Sequence, residues 1–153
     1  MDEMPAHSFT CFLRFINTAQ DAYAVHLAAA ADACGLTKQE ADVLIFLANN
    51  PQFHTARDVA EFRGISRAYV SKAVDGLGGK ALLTVHADTG DRRYQTLVLT
   101  DTARPAVAAL RAAQTAFFKK LTHGVSAADR AALERFITQC SINAQALRTG
   151  DSL

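Results

Sequence analysis

Residues 82–100, LLTVHADTGDRRYQTLVLT, constrain the fold more than any other stretch of this chain. Two β-rich runs, Leu82–His86 and Tyr94–Leu99, flank a polar tip, Ala87–Arg93. Within the tip, Thr89-Gly90 supplies a turn and Asp91-Arg92-Arg93 a charge cluster. Branched and aromatic residues on both sides of a glycine-containing loop read as a β-hairpin. What precedes and follows that hairpin is helical.

Residues 8–33 read as one long helix, with Phe9, Phe12, Leu13, Ile16, Ala19, Tyr23, Leu27 and Ala30 at helical spacing. Phe15 and Val25 fall off that stripe, so the helix needs cover on more than one side. Gly35 stands where a C-terminal cap would. Thr37-Lys38-Gln39-Glu40 is a capping box opening a second helix, Lys38 to Asn49, which Asn49-Asn50-Pro51 ends. Thr55 to Asp58 caps a short third helix, to about Phe62. After the turn Arg63-Gly64-Ile65, Ser66 caps a fourth, with Val70, Ala73, Val74 and Leu77 inward. Two helices joined by a short glycine turn are the outline of a helix-turn-helix, and the hairpin following it directly completes a winged helix-turn-helix.

A fifth helix is expected over 103–122, with Pro105 in its first turn and the cap at Thr100 or Thr102. Ser126 to Asp129 caps a sixth, reaching about Arg148, with Leu133, Phe136, Ile137, Cys140, Ala144 and Leu147 inward. The expected fold class is therefore mainly α with a small β wing. The winged lobe spans 36–102, and 8–35 with 103–149 form a helical dimerisation region. A lobe of about 60 residues is near the lower limit for folding alone, and the outer helices are too apolar to be tails. The economical arrangement is a helical layer from both chain ends that pairs with a second copy.

The 153 residues carry a net charge of +1, which favours no particular partner. Its distribution says more. Residues 1–50 hold two basic and six acidic groups, 51–100 seven and five, and 101–153 seven and four. The positive excess lies in the middle and C-terminal parts, where a phosphate backbone can be accommodated. There is no apolar run of transmembrane length and no basic-then-apolar leader at MDEMPAHSF, so a cytoplasmic protein without a membrane partner is expected. Cys11, Cys34 and Cys140 lack C-x-x-C spacing and fit reduced thiols. His7, His26, His54, His86 and His123 are dispersed without ligand spacing, so no metal or other cofactor is expected. No phosphate loop, carboxylate pair or nucleophile–base set suggests an enzyme.

The expected chemistry lies on the fourth helix and the hairpin. With its apolar residues inward, Arg67, Ala68, Ser71, Lys72 and Asp75 share the opposite face, and Tyr69 lies at its edge. The N-terminal half of such a helix enters the major groove. There Arg67 and Lys72 can reach guanine or phosphate, Ser71 can serve either, Tyr69 suits a phosphate, and Ser66 at the cap is counted with the DNA-binding residues. The same pattern also describes the solvated face of an ordinary amphipathic helix; the hairpin downstream favours double-stranded DNA. In the tip, a guanidinium of Arg92 or Arg93 is drawn to the negative potential of a narrow minor groove, and Asp91 can hold its fork.

The hairpin also carries a resemblance. Asp91-Arg92-Arg93 followed by Leu97-Val98-Leu99-Thr100 looks like the D-x-R … L-T wing signature of the MarR family of bacterial transcription regulators. The likeness extends over about 8–149, through Leu36-Thr37, Leu44, Leu47, Thr55, Val59-Ala60, Ile65-Ser66, Val70-Ser71 and Leu77. It implies a homodimer with interlocked terminal helices, each lobe reading half of a palindromic operator. It assigns Arg93 to the minor groove and Asp91 to orienting it. Gly78-Gly79-Lys80-Ala81 departs from the family's charged residues and single glycine, and His86 from its arginine. Glycine is unfavourable by about 1 kcal/mol inside a helix, so a looser end to the recognition helix is expected.

The regulatory expectation is a repressor, released from DNA by a small-molecule effector held between helical layer and lobe. Phe12, Tyr23, Phe117 and Phe118 are its candidate lining. Two alternatives stand beside it. Thr10-Cys11-Phe12-Leu13 resembles the peroxide-sensing branch of the family, with Cys11 as the redox residue, although Phe15 and Val25 replace tyrosines found there. A small packing residue is the simpler role for Cys11. The double glycine and small positive excess would also suit a protein–protein module that has lost DNA binding.

Overall fold

Side-chain caps decide where most of the helices begin. The computed structural model describes residues 6–87 and 95–150, the side chains of 6 and 7 excepted. Its helices are α1 (Ala6–Ala33), α2 (Lys38–Asn49), α3 (Ala56–Arg63), α4 (Arg67–Gly79), α5 (Arg104–Leu121) and α6 (Ala127–Thr149). Thr37 and Thr55 form complete capping boxes with Glu40 and Asp58, and the hydroxyls of Ser66 and Ser126 accept from the amides of Tyr69 and Asp129. Each cap satisfies amides that a helix N-terminus leaves without partners. The α3–α4 turn is equally local. Gly64 takes a left-handed conformation, and its amide and that of Ile65 both return to the Ala60 carbonyl.

The strands are β1 (Leu83–Ala87) and β2 (Gln95–Leu99), antiparallel with Leu83 opposite Leu99 and Ala87 opposite Gln95. Tyr94, expected to open the second strand, lies outside the described residues. The sheet has an attachment that the sequence pattern does not suggest. Thr55 forms an antiparallel bridge with Thr96, and the Leu97 amide donates to the His54 carbonyl at 2.7 Å. The segment before α3 thereby anchors the wing to the start of the helix-turn-helix.

A short 3-10 turn, Asp101–Ala103, precedes α5, so neither Thr100 nor Thr102 caps that helix directly. The Thr100 hydroxyl donates instead to the Ala81 carbonyl. Helix α2 forms the centre of the core, buried without a break from Glu40 to Leu47. Around it close Leu27 and Ala31 of α1, Val59 of α3, Val70, Ala73 and Leu77 of α4, Leu83, Leu97, and Leu110 of α5.

Two compact units divide the chain, one through Phe117 and one from Phe118. In the second, the expectation of an inward apolar face on α6 does not hold within one chain. No residue of α6 is buried: Phe136 and Ile137 are about half exposed, Leu147 is 70% exposed, and Cys140 is exposed. A single helix has nothing of its own to cover that stripe. In the first unit, Phe9, Leu13 and Phe15 of α1 are likewise exposed. No helix among the described residues is long and apolar enough to cross a membrane.

Candidate nucleic-acid interface

Helix α4 separates its two faces sharply. Val70, Ala73 and Leu77 are completely buried, which commits the remaining sides to solvent. Arg67, Ala68, Ser71, Lys72 and Asp75 are exposed on that outer side, and Ser66 is exposed at the cap. The structure thus brings the predicted groove-facing residues onto one surface. Asp91, Arg92 and Arg93 lie outside the described residues; the paired strands that carry their loop are described up to Ala87 and from Gln95.

Tyr69 stands at the edge of the face, as its spacing predicts, but its hydroxyl turns inward. It donates to Asp42 Oδ2 of α2 at 2.7 Å. Lys38 reaches the same oxygen at 3.1 Å, and its ammonium sits 5.9 Å from the Tyr69 ring centre. Burial first, then the bond to Asp42, raises the Tyr69 pKa, so the hydroxyl remains a donor at neutral pH. The Asp42 bond keeps Lys38 charged, raising its pKa against the opposing effect of burial.

A second carboxylate of α2 holds the far end of α4. Glu40 is buried, accepts from the Thr37 amide at 2.7 Å, and is ion-paired to Lys80. Burial opposes its ionisation. The bonds from Lys80 and Thr37 outweigh burial and leave its pKa below the ordinary carboxylate value. Its side chain lies directly over Gly76, where an added Cβ would stand 3.0 Å from Glu40 Cδ and closer still to Oε1. Gly76 is therefore the glycine that α4 requires for packing. The expected loosening at Gly78-Gly79 takes another form: the helix runs through Gly79, and the left-handed conformation falls on Ala81, with φ of 56°.

Sequence reasoning gives no structural role to Asp42, Gly76, Lys80 or His54. The capping box marks Glu40 and its bond to Thr37, but partners 27 and 40 positions away leave no periodic trace.

The predicted effector residues meet only in part. Tyr23 and Phe117 make an edge contact with ring centres 5.3 Å apart, and Gln114 donates to the Tyr23 hydroxyl. Gln114 in turn accepts from Asn49, which accepts from Arg111, so a polar chain links α1, α5 and the end of α2. Phe12 is partly exposed, and Phe118 is exposed at the start of the second unit. A cavity of about 90 Å³ lies between Ala24, Ala28 and Ala31 of α1 and Lys38 and Asp42 of α2. A groove of about 440 Å³ runs from Ala48 and Leu99 to Arg104 and Arg111. Neither includes the four predicted residues. Cys11 is exposed on α1, and Cys34 is half-buried beside the core.

A helix-turn-helix with a paired wing, its second helix presenting a polar, cation-bearing face, defines the winged helix class. The chain belongs to the MarR family of transcription regulators, whose model matches residues 12–93. Solved structures share the fold at low identity. A MarR family regulator from Silicibacter pomeroyi is 21% identical, with 84% of this chain and 86% of that one covered and a TM-score of 0.74. BpsR of Bordetella bronchiseptica, titled for regulation of its DNA binding by 6-hydroxynicotinic acid, is 22% identical, with 84% and 96% covered and a TM-score of 0.67. CouR of Rhodococcus jostii RHA1, solved with p-coumaroyl-CoA, is 17% identical, with 100% and 99% covered and a TM-score of 0.67. No curated protein matches the sequence.

Proposed function

We propose that this chain is a sequence-specific DNA-binding regulator that acts as a homodimer on a palindromic operator, as a repressor released by a small-molecule effector. The observation that carries the reading is the face of α4, where Arg67, Ser71 and Lys72 are exposed while Val70, Ala73 and Leu77 on the opposite side are completely buried and Val74 is half-buried. Lysine and arginine contacts to phosphate supply most of the affinity of such an interface, and base contacts supply its specificity. Arg92 and Arg93, oriented by Asp91, take the minor groove in this reading.

The exposed apolar faces of α1 and α6 support the dimer, since exposed patches of that kind in a soluble chain mark an association surface. A second copy of residues 8–35 and 103–149 is the proposed cover. For the effector, the support is the Tyr23–Phe117 pair with its polar neighbour Gln114. BpsR and CouR, titled with 6-hydroxynicotinic acid and p-coumaroyl-CoA, make aromatic acids and their coenzyme A thioesters the first ligands to test. Binding favours whichever arrangement of lobes holds the ligand better, and DNA is lost when that arrangement does not match successive grooves. The exposure of Cys11 favours a second reading, in which peroxide triggers release; Cys11→Ser would then abolish the response.

The test is binding to the DNA upstream of the protein's own gene, across salt concentrations. Tight, salt-sensitive binding is expected. Lys72→Ala and Arg93→Ala should each weaken it and lower the salt slope by about one. Binding that survives both substitutions would overturn these residue roles. Binding no tighter than to a random duplex would overturn the DNA reading.

A further inference from the structure

Buried carboxylates need partners, and α2 carries two whose partners lie at opposite ends of one helix. Glu40 is bonded to Lys80, just past the last turn of α4, and lies over Gly76. Asp42 holds the Tyr69 hydroxyl in the first turn of α4. Between these points the contacts of α4 are apolar, through Val70, Ala73 and Leu77. Apolar packing fixes which side of the helix faces the core, but it is non-directional and leaves the fine roll to other contacts. Two directional bonds, about three turns apart, specify it at both ends.

We propose that Asp42 and Tyr69 are positioning residues for sequence reading, setting the roll of the N-terminal half of the recognition helix. The Tyr69 hydroxyl is then an internal tether, and the phosphate-facing role suggested by its sequence position passes to its neighbours. Arg67 and Ser71 flank Tyr69 by two positions on either side, and Lys72 follows one turn later. Side-chain tips lie about 5–6 Å from a helix axis, so a roll of roughly 20° moves them by about 2 Å. Hydrogen bonds to base edges tolerate only a few tenths of an ångström. Contacts with phosphate through long, flexible cations tolerate more. Loss of the tether should therefore erode discrimination between sequences and spare non-specific affinity. Lys38, bonded to the same Asp42 oxygen, helps to hold the carboxylate in place.

The proposal rests on the DNA-binding reading, and the experiment separates the two. Wild-type protein selects its preferred duplex from a random-sequence pool. Affinities are then measured for that duplex and a scrambled one, with wild type, Tyr69→Phe, Asp42→Ala, Asp42→Asn and the Tyr69→Phe/Asp42→Ala pair. Tyr69→Phe is expected to lose about tenfold on the selected duplex, the effect of one poor base contact, and nothing on the scrambled one. Asp42→Ala should match it, the pair should be no worse than either alone, and Asp42→Asn, which still offers an acceptor, should recover most of the loss. Equal losses on both duplexes in Tyr69→Phe would make the hydroxyl a direct phosphate contact and overturn the proposal. An unchanged ratio would overturn it too. Should Asp42→Ala fail to fold, Tyr69→Phe, which removes a single oxygen, decides the matter. A wild-type protein that selects no sequence would overturn the DNA reading itself.

Discussion

Replacing Gly76 by alanine sets two effects against each other with opposite signs. Inside a helix, glycine to alanine stabilises by about 1 kcal/mol from backbone entropy alone. Here the new methyl would enter the space of the Glu40 carboxylate, 3.0 Å from its Cδ. The clash falls on Glu40 Oε1 while Oε2 accepts from the Thr37 amide and the Lys80 ammonium, so turning the carboxylate away disturbs both bonds. Losing the capping contact is unfavourable by about 1 kcal/mol. The ion pair with partly exposed Lys80 adds at most about 1 kcal/mol after solvent screening, and crowding of a packed site about 1–3 kcal/mol. The net expectation is destabilisation by about 1–4 kcal/mol, a drop in Tm of roughly 3–12 °C for a chain of this length. Thermal and urea unfolding of Gly76→Ala, Glu40→Ala and the pair provide the assay. In the Glu40→Ala background the clash is gone, and Gly76→Ala should stabilise by about 1 kcal/mol. A Gly76→Ala protein more stable than wild type, or the same change in both backgrounds, would refute the reasoning.

Other outcomes follow from the same geometry. Ala81→Gly should stabilise by about 0.5–1 kcal/mol, because a left-handed conformation is unfavourable for an L-residue by more than glycine's extra unfolded freedom offsets; a lower melting temperature would contradict it. Leu77→Ala removes a completely buried side chain and should be destabilising by about 2–5 kcal/mol in urea unfolding. Glu40 and Asp58 both ionise more readily in the folded chain than their ordinary values of 4.5 and 3.8. For Asp58, burial is outweighed by the bonds from Thr55 and His54. Their contribution is complete above those values and is lost as pH falls through the lowered folded ones. Stability should therefore decline below about pH 4.5, and Glu40→Gln should flatten that decline; an unchanged pH profile would count against the Glu40 contacts.

Local chemistry makes most of the elements legible in the sequence. Thr37, Thr55, Ser66 and Ser126 act through amides three positions away, so their caps can be read from adjacent letters. The buried stripe of α4 follows from a helical period of a few residues, and the two strands from runs of branched residues on either side of a glycine-containing segment. Periodicity misreads the outward face of α6, because the same stripe serves equally against the chain itself or against a second chain, and spacing does not name the partner. The Thr55–Thr96 bridge escapes it as well, because one bridging pair is too short to alternate.

What the sequence determined by itself was the order and type of elements and the side of the recognition helix that carries arginine, serine and lysine. Only the tertiary structure decided how that helix is held. Asp42 meets Tyr69, and Glu40 meets Lys80, across separations of 27 and 40 residues. A helix period reports which residues share a face. It carries no information about which distant residue will face them once loops close, because that depends on the packing of the whole core around α2.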